Sequence, residues 1–206
     1  MSLVIISASQ RKHSQSAKIA QYIAQLSTQY KNVSHVELCQ FNLPLWDGEQ
    51  ASKLKKVSDW ALISQQLTAA TAIILITPEW GGMASPLLKN FLLMCSSEET
   101  AHKPALIVSV SSGISGAYPI AELRMNAFKN NKLVAIPDHI IIRHVEEVLN
   151  SPQSNSPSLS DNHQHITERL AYSLHTLYEY SEALSTLRTR FAVDPDITPS
   201  KYPYGM

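Results

Sequence analysis

Ala72-Ile73-Ile74-Leu75-Ile76-Thr77 is an unbroken apolar run closed by Pro78, and its reading decides the fold class. A strand with one wet face alternates apolar and polar side chains, whereas a continuous run marks a parallel strand covered on both faces. Leu3-Val4-Ile5-Ile6 and Ala105 to Val110 read the same way. Val33 to Leu38 alternates, as a strand nearer a sheet edge does, and Leu133–Ile136 with Ile140–Ile142 supplies a further strand broken by Pro137. Between these runs the apolar spacing changes to three and four. Ser14 to about Tyr30 carries Ala17, Ile19, Ala20, Ile23, Ala24 and Leu26 on one stripe, and Leu54 to Ala70 carries Val57, Trp60, Ala61, Ile63 and Leu67. Pro86 opens another helix, since proline is tolerated in a first turn. Ile120 to about Asn130 reads as helical too, and a last helix over residues 163–190 carries Leu170, Leu174, Leu177, Ala183 and Leu187.

Five strands alternating with five helices mean an α/β protein. Right-handed crossovers leave few topologies, and five strands favour a flavodoxin-like three-layer sandwich around a parallel sheet of order 2-1-3-4-5. The 206 residues suit one domain, expected over residues 1–193. Within it, 151–162 (SPQSNSPSLSDN) holds two prolines and five serines and reads as a mobile loop; residues 194–206 read as an irregular tail. Formal net charge is zero, which argues against a basic nucleic-acid surface and against a binder of acidic membranes. No run reaches the roughly 18 apolar residues of a membrane span. Cys39 and Cys95 have no metal or redox spacing, so a reduced, cytoplasmic setting is expected.

In open parallel sheets, ligands bind beyond the carboxyl ends of the strands. That rule selects three loops. The first, Ser7 to Ser16, joins a buried strand to a helix N-terminus, where free N–H groups and the helix dipole favour an anion. Its four serines and the Arg11 guanidinium add donors suited to phosphate, although it contains no glycine and matches no nucleotide fingerprint. An N-cap serine with an ordinary polar first turn is the plainer reading. The second loop, Thr77 to Asn90, has consecutive glycines that permit close backbone approach to a flat ligand. Trp80 either lies beside such a ligand or fills the core, and Lys89-Asn90 either faces solvent or pins the loop. The third, Ser109 to Tyr118, has Gly113 and Gly116, and its N–H groups either meet ring acceptors or form a plain strand-to-helix turn.

Ser9-x-Arg11-x-x-Ser14-x-Ser16, then Pro78-Glu79-Trp80 with Leu88-Lys89-Asn90, then Ser112-Gly113-x-x-Gly116 and Leu123-Arg124 form an ordered set. It resembles the NADPH-dependent FMN reductase family, which has a flavodoxin-like fold and includes quinone, azo-dye and chromate reductases. The resemblance runs from Leu3 to about Ile142. It implies that Ser9, Arg11, Ser14, Gln15 and Ser16 hold the FMN phosphate, that Pro78, Glu79, Trp80 and Gly81 lie along the isoalloxazine ring, and that Ser112, Gly113 and Gly116 cover its other side. It also implies NAD(P)H as hydride donor to flavin N5, a small-molecule electron acceptor, and a homodimer or homotetramer. The family pattern has glycine at Ala8, Tyr-Asn at Trp80-Gly81, an aspartate at Leu93 and paired glycines at Gly116-Ala117. No protein acid or base is compulsory in such chemistry, so no catalytic side chain is named. Lys12 and Arg124 are candidate cations for the extra phosphate of NADPH.

Two other readings stand beside this one: a non-catalytic flavodoxin-like redox carrier or regulatory module, and a hydrolase, disfavoured because no G-x-S-x-G elbow is present. The histidines 139, 144, 163 and 165 have no ligand spacing and read as capping or surface groups. Tyr172, Tyr178 and Tyr180 read as packing or partner contacts.

Overall fold

Placed together, the apolar runs pair as their two-faced burial requires. The computed structural model describes residues 1–150 and 161–193. Strands β1 (Ser2–Ser7), β2 (Asn32–Glu37), β3 (Ala72–Trp80), β5 (Pro104–Val110) and β6 (Val134–Ile142) form a parallel sheet in the order β2-β1-β3-β5-β6. This is the expected 2-1-3-4-5 order, renumbered because a two-residue strand, β4 (Met83–Ala84), pairs antiparallel with the end of β3. Period-two alternation sends Leu3, Ile5, Ile74, Ile76, Leu106 and Val108 to one face, and Val4, Ile6, Ile73, Leu75, Ala105 and Ile107 to the other.

The first face is covered by α1 (Gln15–Leu26), through Ile19, Ala20 and Ile23, and by α7 (Asp161–Val193), through Leu170, Leu174 and Leu177. The second is covered by α3 (Trp60–Ala69), α4 (Pro86–Met94) and α6 (Ala117–Asn126), with Trp60, Ile63, Leu67, Leu88, Phe91 and Leu123 inside. Short helices α2 (Gln50–Lys53) and α5 (Ser97–Thr100) flank this second layer.

Several boundaries differ from the periodicity. The helix expected over Leu54–Ala70 begins only at Trp60, because Asn42 and Asp59 bond reciprocally and hold the chain out of helix before it. Leu54 and Val57 are therefore exposed rather than on the stripe. Helix α1 ends at Leu26, four residues early, where the Ser27 hydroxyl donates to the Ile23 carbonyl. Tyr30 is buried beyond that end, edge-on to Tyr178. Pro137 does not break β6. The pairing slips from Ala105↔Ala135 to Ile107↔His139, a bulge on an edge strand, where proline is tolerated. Helix α7 starts at Asp161, so only 151–160 of the expected loop, together with the tail 194–206, lies outside the described residues.

Lys103 ties the second layer together from inside. Its ammonium donates to the Leu67 and Thr68 carbonyls at the end of α3 at 2.6 and 3.0 Å. Burial, then the nearby Arg188 charge, lowers its pKa from 10.5 to about 8, partly opposed by Glu99. Between those two values the unfolded chain binds the proton better than the folded one, so this group's contribution to stability rises as pH rises. Thermal unfolding from pH 7 to 10 is expected to show the parent gaining on Lys103→Met with increasing pH. A difference that stays flat refutes the assignment.

Candidate functional site

The three loops that follow β1, β3 and β5 meet at one end of the sheet. In the first, Ser14 is the N-cap of α1: its hydroxyl oxygen accepts from the Ala17 N–H at 3.1 Å, which leaves its own O–H to donate outward. Gln15 and Ser16 occupy the first helical positions, where backbone N–H groups have no partner within the helix. Ser9 is buried, and its hydroxyl accepts from the Arg11 N–H at 3.2 Å. The Ser16 hydroxyl and the Gln15 side-chain carbonyl are buried with no hydrogen-bond partner among the described residues. An orphaned hydroxyl beside unpaired helix N–H groups calls for an acceptor that the described residues do not supply.

The second loop is a β-hairpin, which the sequence reading missed. Glu79 pairs with Ala84 and Trp80 with Met83, so Gly81 and Gly82 are the two central turn residues. Their φ values of 58° and 77° are what a two-residue type I′ turn demands, and glycine meets it without strain. Pro78 is buried at the hairpin's base. Trp80 is half-buried rather than in the core, with the Arg11 guanidinium 5.3 Å from its ring centroid. This cation–π contact joins the first loop to the second. The Ser85 hydroxyl does the same from beneath, donating to the Ala8 carbonyl at 2.5 Å, while the Ser85 N–H closes the second loop on itself by donating to Thr77 Oγ1 at 2.9 Å.

The third loop is fastened from both sides. The Gly116 N–H donates to the Glu79 carboxylate, and the Ser115 carbonyl accepts from Arg143 Nε at 3.0 Å. Gly116 has φ 113°, and a Cβ there would sit 2.5 Å from Ile141 Cγ2. Ser112 is exposed at the loop's rim, while the Gly113 N–H turns inward to the Ser111 hydroxyl at 3.2 Å. All twelve residues singled out from sequence therefore lie on the same strand ends. Glu79 faces the third loop through its side chain, so its carboxylate holds protein backbone.

Lys89-Asn90 takes the pinning role. The Asn90 amide accepts from the Trp46 N–H at 2.8 Å and donates to the Pro44 carbonyl at 2.9 Å, while Lys89 pairs with Glu122 at 3.0 Å. Glu122 also accepts from the Ala84 N–H at 2.7 Å, which steadies the hairpin. Arg124 is far from candidate phosphate duty: one guanidinium nitrogen donates to the carbonyls of Ile136, Pro137 and Asp138 at 2.6, 2.9 and 2.9 Å, holding the β6 bulge. Lys12 remains exposed at the first loop. Sequence reasoning missed Ser85, Glu122 and Arg143. Ser85 alone had a local signal, as a serine directly before a helix-opening proline. The other two act across long sequence separations.

A serine and a histidine do meet, but not where a hydrolase could use them. Ser7 Oγ lies 2.8 Å from His35 Nε2, but Ser7 is fully buried within β1, beyond the reach of a substrate. His163 caps backbone as expected, its Nδ1 accepting from the Leu149 N–H at 3.3 Å. Among the described residues no helix is long and apolar enough to cross a membrane.

Comparison with known proteins agrees with this arrangement. The family model of NADPH-dependent FMN reductases matches residues 1–147. A curated relative, the NADPH azoreductase of Bacillus sp. (strain OY1-2), is 29% identical over 150 residues, covering 71% of this chain and 80% of the relative. Among solved structures, the flavoenzyme NAD(P)H:(acceptor) oxidoreductase FerB from Paracoccus denitrificans superposes with a TM-score of 0.65 at 15% identity, over 88% of this chain and 97% of that one. RosB, bound to 8-demethyl-8-formylriboflavin-5'-phosphate, superposes with a TM-score of 0.66 at 12% identity, over 100% of this chain and 82% of that one. At these identities the two structures establish the fold.

Proposed function

This chain belongs to the NADPH-dependent FMN reductase family, and on that premise we propose that it is an FMN-dependent NAD(P)H oxidoreductase of the quinone, azo or flavin type, reducing a small-molecule acceptor. The observation that carries the reading is the buried, unpartnered Ser16 hydroxyl beside the open N–H groups of α1. Those donors, with Ser9, Ser14 and Arg11, fit a phosphate monoester and have no counterpart among the described residues.

In this reading Arg11, Ser9, Ser14, Gln15 and Ser16 bind the FMN phosphate, and Pro78, Glu79, Trp80 and Gly81 form one wall along the isoalloxazine ring. Ser112, Gly113 and Gly116 form the other wall. Bound FMN supplies the redox chemistry, accepting hydride from NAD(P)H and passing electrons to the acceptor. The residues of the chain bind, orient and set the field. The Gly81-Gly82 turn and the Glu79–Gly116 bond fix the backbone of both walls, so its dipoles do not have to reorient when charge develops. The Trp80 indole, braced by Arg11, limits how far the first of these walls can move.

Residues 1–193 are read as one flavin-binding unit, cytoplasmic and assembled as a homodimer or homotetramer. Exposed Tyr118 and Met125, seven residues apart on one face of α6, support a partner surface near the third loop.

The test is optical. Purified protein loaded with FMN and freed of excess is expected to retain the flavin spectrum and to bleach anaerobically with NADPH or NADH. Retained flavin that neither nicotinamide bleaches moves the protein to the redox-carrier or regulatory class. Flavin lost on washing refutes the site.

A further inference from the structure

A lysine that the sequence reading passed over joins two of the three loops. Lys18 lies one turn into α1, and its backbone N–H closes that turn by donating to the Ser14 carbonyl at 3.1 Å. Its side chain leaves the helix for a segment 127 to 132 residues further on. The ammonium donates to the Val145 carbonyl at 2.5 Å, to the Val148 carbonyl at 3.0 Å and to Asn150 Oδ1 at 2.8 Å. An ammonium has three donors and no acceptor, so its bonding capacity is filled. Lys18 shares the first turns of α1 with Ser14 and Ser16, yet its charge is spent on protein acceptors.

The segment that it grips, 143–150, is bonded in turn to the third loop. The His144 N–H donates to the Gly113 carbonyl at 3.2 Å, and the Val145 N–H to the Ser111 carbonyl at 3.1 Å. Arg143 adds its bond to the Ser115 carbonyl. Leu149 stands at φ 55°, where a leucine rarely goes, so the path of this segment is imposed by what holds it. Lys18 holds it from α1, the third loop from β5, and His163 from α7 through the Leu149 N–H. Val145 and Val148 are each only 2% exposed, so without the ammonium their carbonyls are left unpaired on a buried stretch of backbone. A chain of bonds therefore runs from the first turn of α1, through Lys18 and 145–150, to Ser111 and Gly113.

We propose that Lys18 is a positioning residue for the flavin site: it sets the third loop, and so the second wall of the ring, relative to the helix that holds the phosphate. The proposal rests on the flavin reading given above. The phosphate end belongs to α1 and the ring wall to the loop before α6, and three bonds from one ammonium fix the spacing between them. With Lys18 in place the wall stands ready before flavin arrives, and binding does not have to order it. Without Lys18, segment 143–150 keeps its bonds to the third loop but loses its hold on α1, and loop and segment shift together.

Lys18→Met keeps the apolar stem and removes all three donors. The lost bonds act on the ring wall, so affinity is expected to fall at least about fivefold for FMN, and by a similar factor for riboflavin, which has the ring and no phosphate. Fluorescence titrations read both, at a temperature where circular dichroism shows the variant folded. A loss for FMN alone places Lys18 with the phosphate and overturns the proposal. Unchanged affinity for both flavins makes Lys18 a structural tie and overturns it too. In flavin-free protein the His144 and Val145 amides, which bond the third loop, are expected to exchange with solvent at least about fivefold faster in the variant, with β1 and β3 amides unchanged. Uniform acceleration means general destabilisation and refutes the assignment. Lys18→Gln keeps an amide donor and is expected to fall between parent and Lys18→Met in both measurements; it carries the test if Lys18→Met does not fold. A parent that binds neither flavin sinks the flavin reading itself, whereas a parent that binds both, matched by Lys18→Met, sinks this proposal alone.

Discussion

Gly116→Ala is expected to be the most damaging single-methyl change at the site. The added Cβ would lie 2.5 Å from Ile141 Cγ2, inside the distance at which carbon atoms can coexist, and the residue would be held at φ 113°. Strain of the backbone contributes about 1–3 kcal/mol, and forcing a methyl into a packed place adds about 1–3 kcal/mol. A loss of roughly 2–6 kcal/mol of folding stability is therefore expected, read from the denaturant midpoint. Relief by moving the loop breaks the bond between the Gly116 N–H and Glu79, so flavin affinity is expected to fall in parallel. If the variant melts and binds FMN like the parent, the third loop is neither tight nor part of the site.

Arg11→Ala separates binding from folding. Arg11 is exposed, so its removal is expected to change stability by less than about 0.5 kcal/mol. A charge-assisted hydrogen bond to phosphate contributes about 1.5–3 kcal/mol, so FMN affinity is expected to fall about 10- to 100-fold. Riboflavin has the same ring and no phosphate, and its affinity should move far less. Flavin fluorescence titrations with both ligands distinguish the roles: an equal loss for the two places Arg11 against the ring through Trp80 instead of on the phosphate. Raised salt should weaken FMN binding in the parent more than in the variant.

The folding pattern was legible because it is local. Ala72–Thr77 and Leu3–Ile6 are apolar without interruption, and only a strand covered on both faces tolerates that. Errors fell where a polar side chain overrode the periodicity. Val57 fits a helical stripe on paper, yet Asn42 and Asp59 bond across the chain and start α3 at Trp60. The hairpin at Gly81-Gly82 carried a usable signal, since paired glycines between short runs are what a primed turn requires, but the following Ser-Pro drew the reading toward the helix. Pro137 was read as a break because the bulge and the arginine that holds it lie on different elements.

The order of elements, the two faces of the sheet and the three loops at the strand ends were set by the sequence alone, through hydrophobic spacing, caps and chain direction, all of which act over a few residues. Tertiary structure decided what the polar side chains in and around those loops do. Glu79 reaches Gly116 across 37 residues, and Asn90 reaches Trp46 across 44. Arg124 turns to β6, and Lys53 settles between two indoles. A charged side chain takes whichever acceptor, ring or cavity folding brings within about 3–5 Å, and that neighbour is fixed by the packing of whole layers rather than by the residues beside it in the chain.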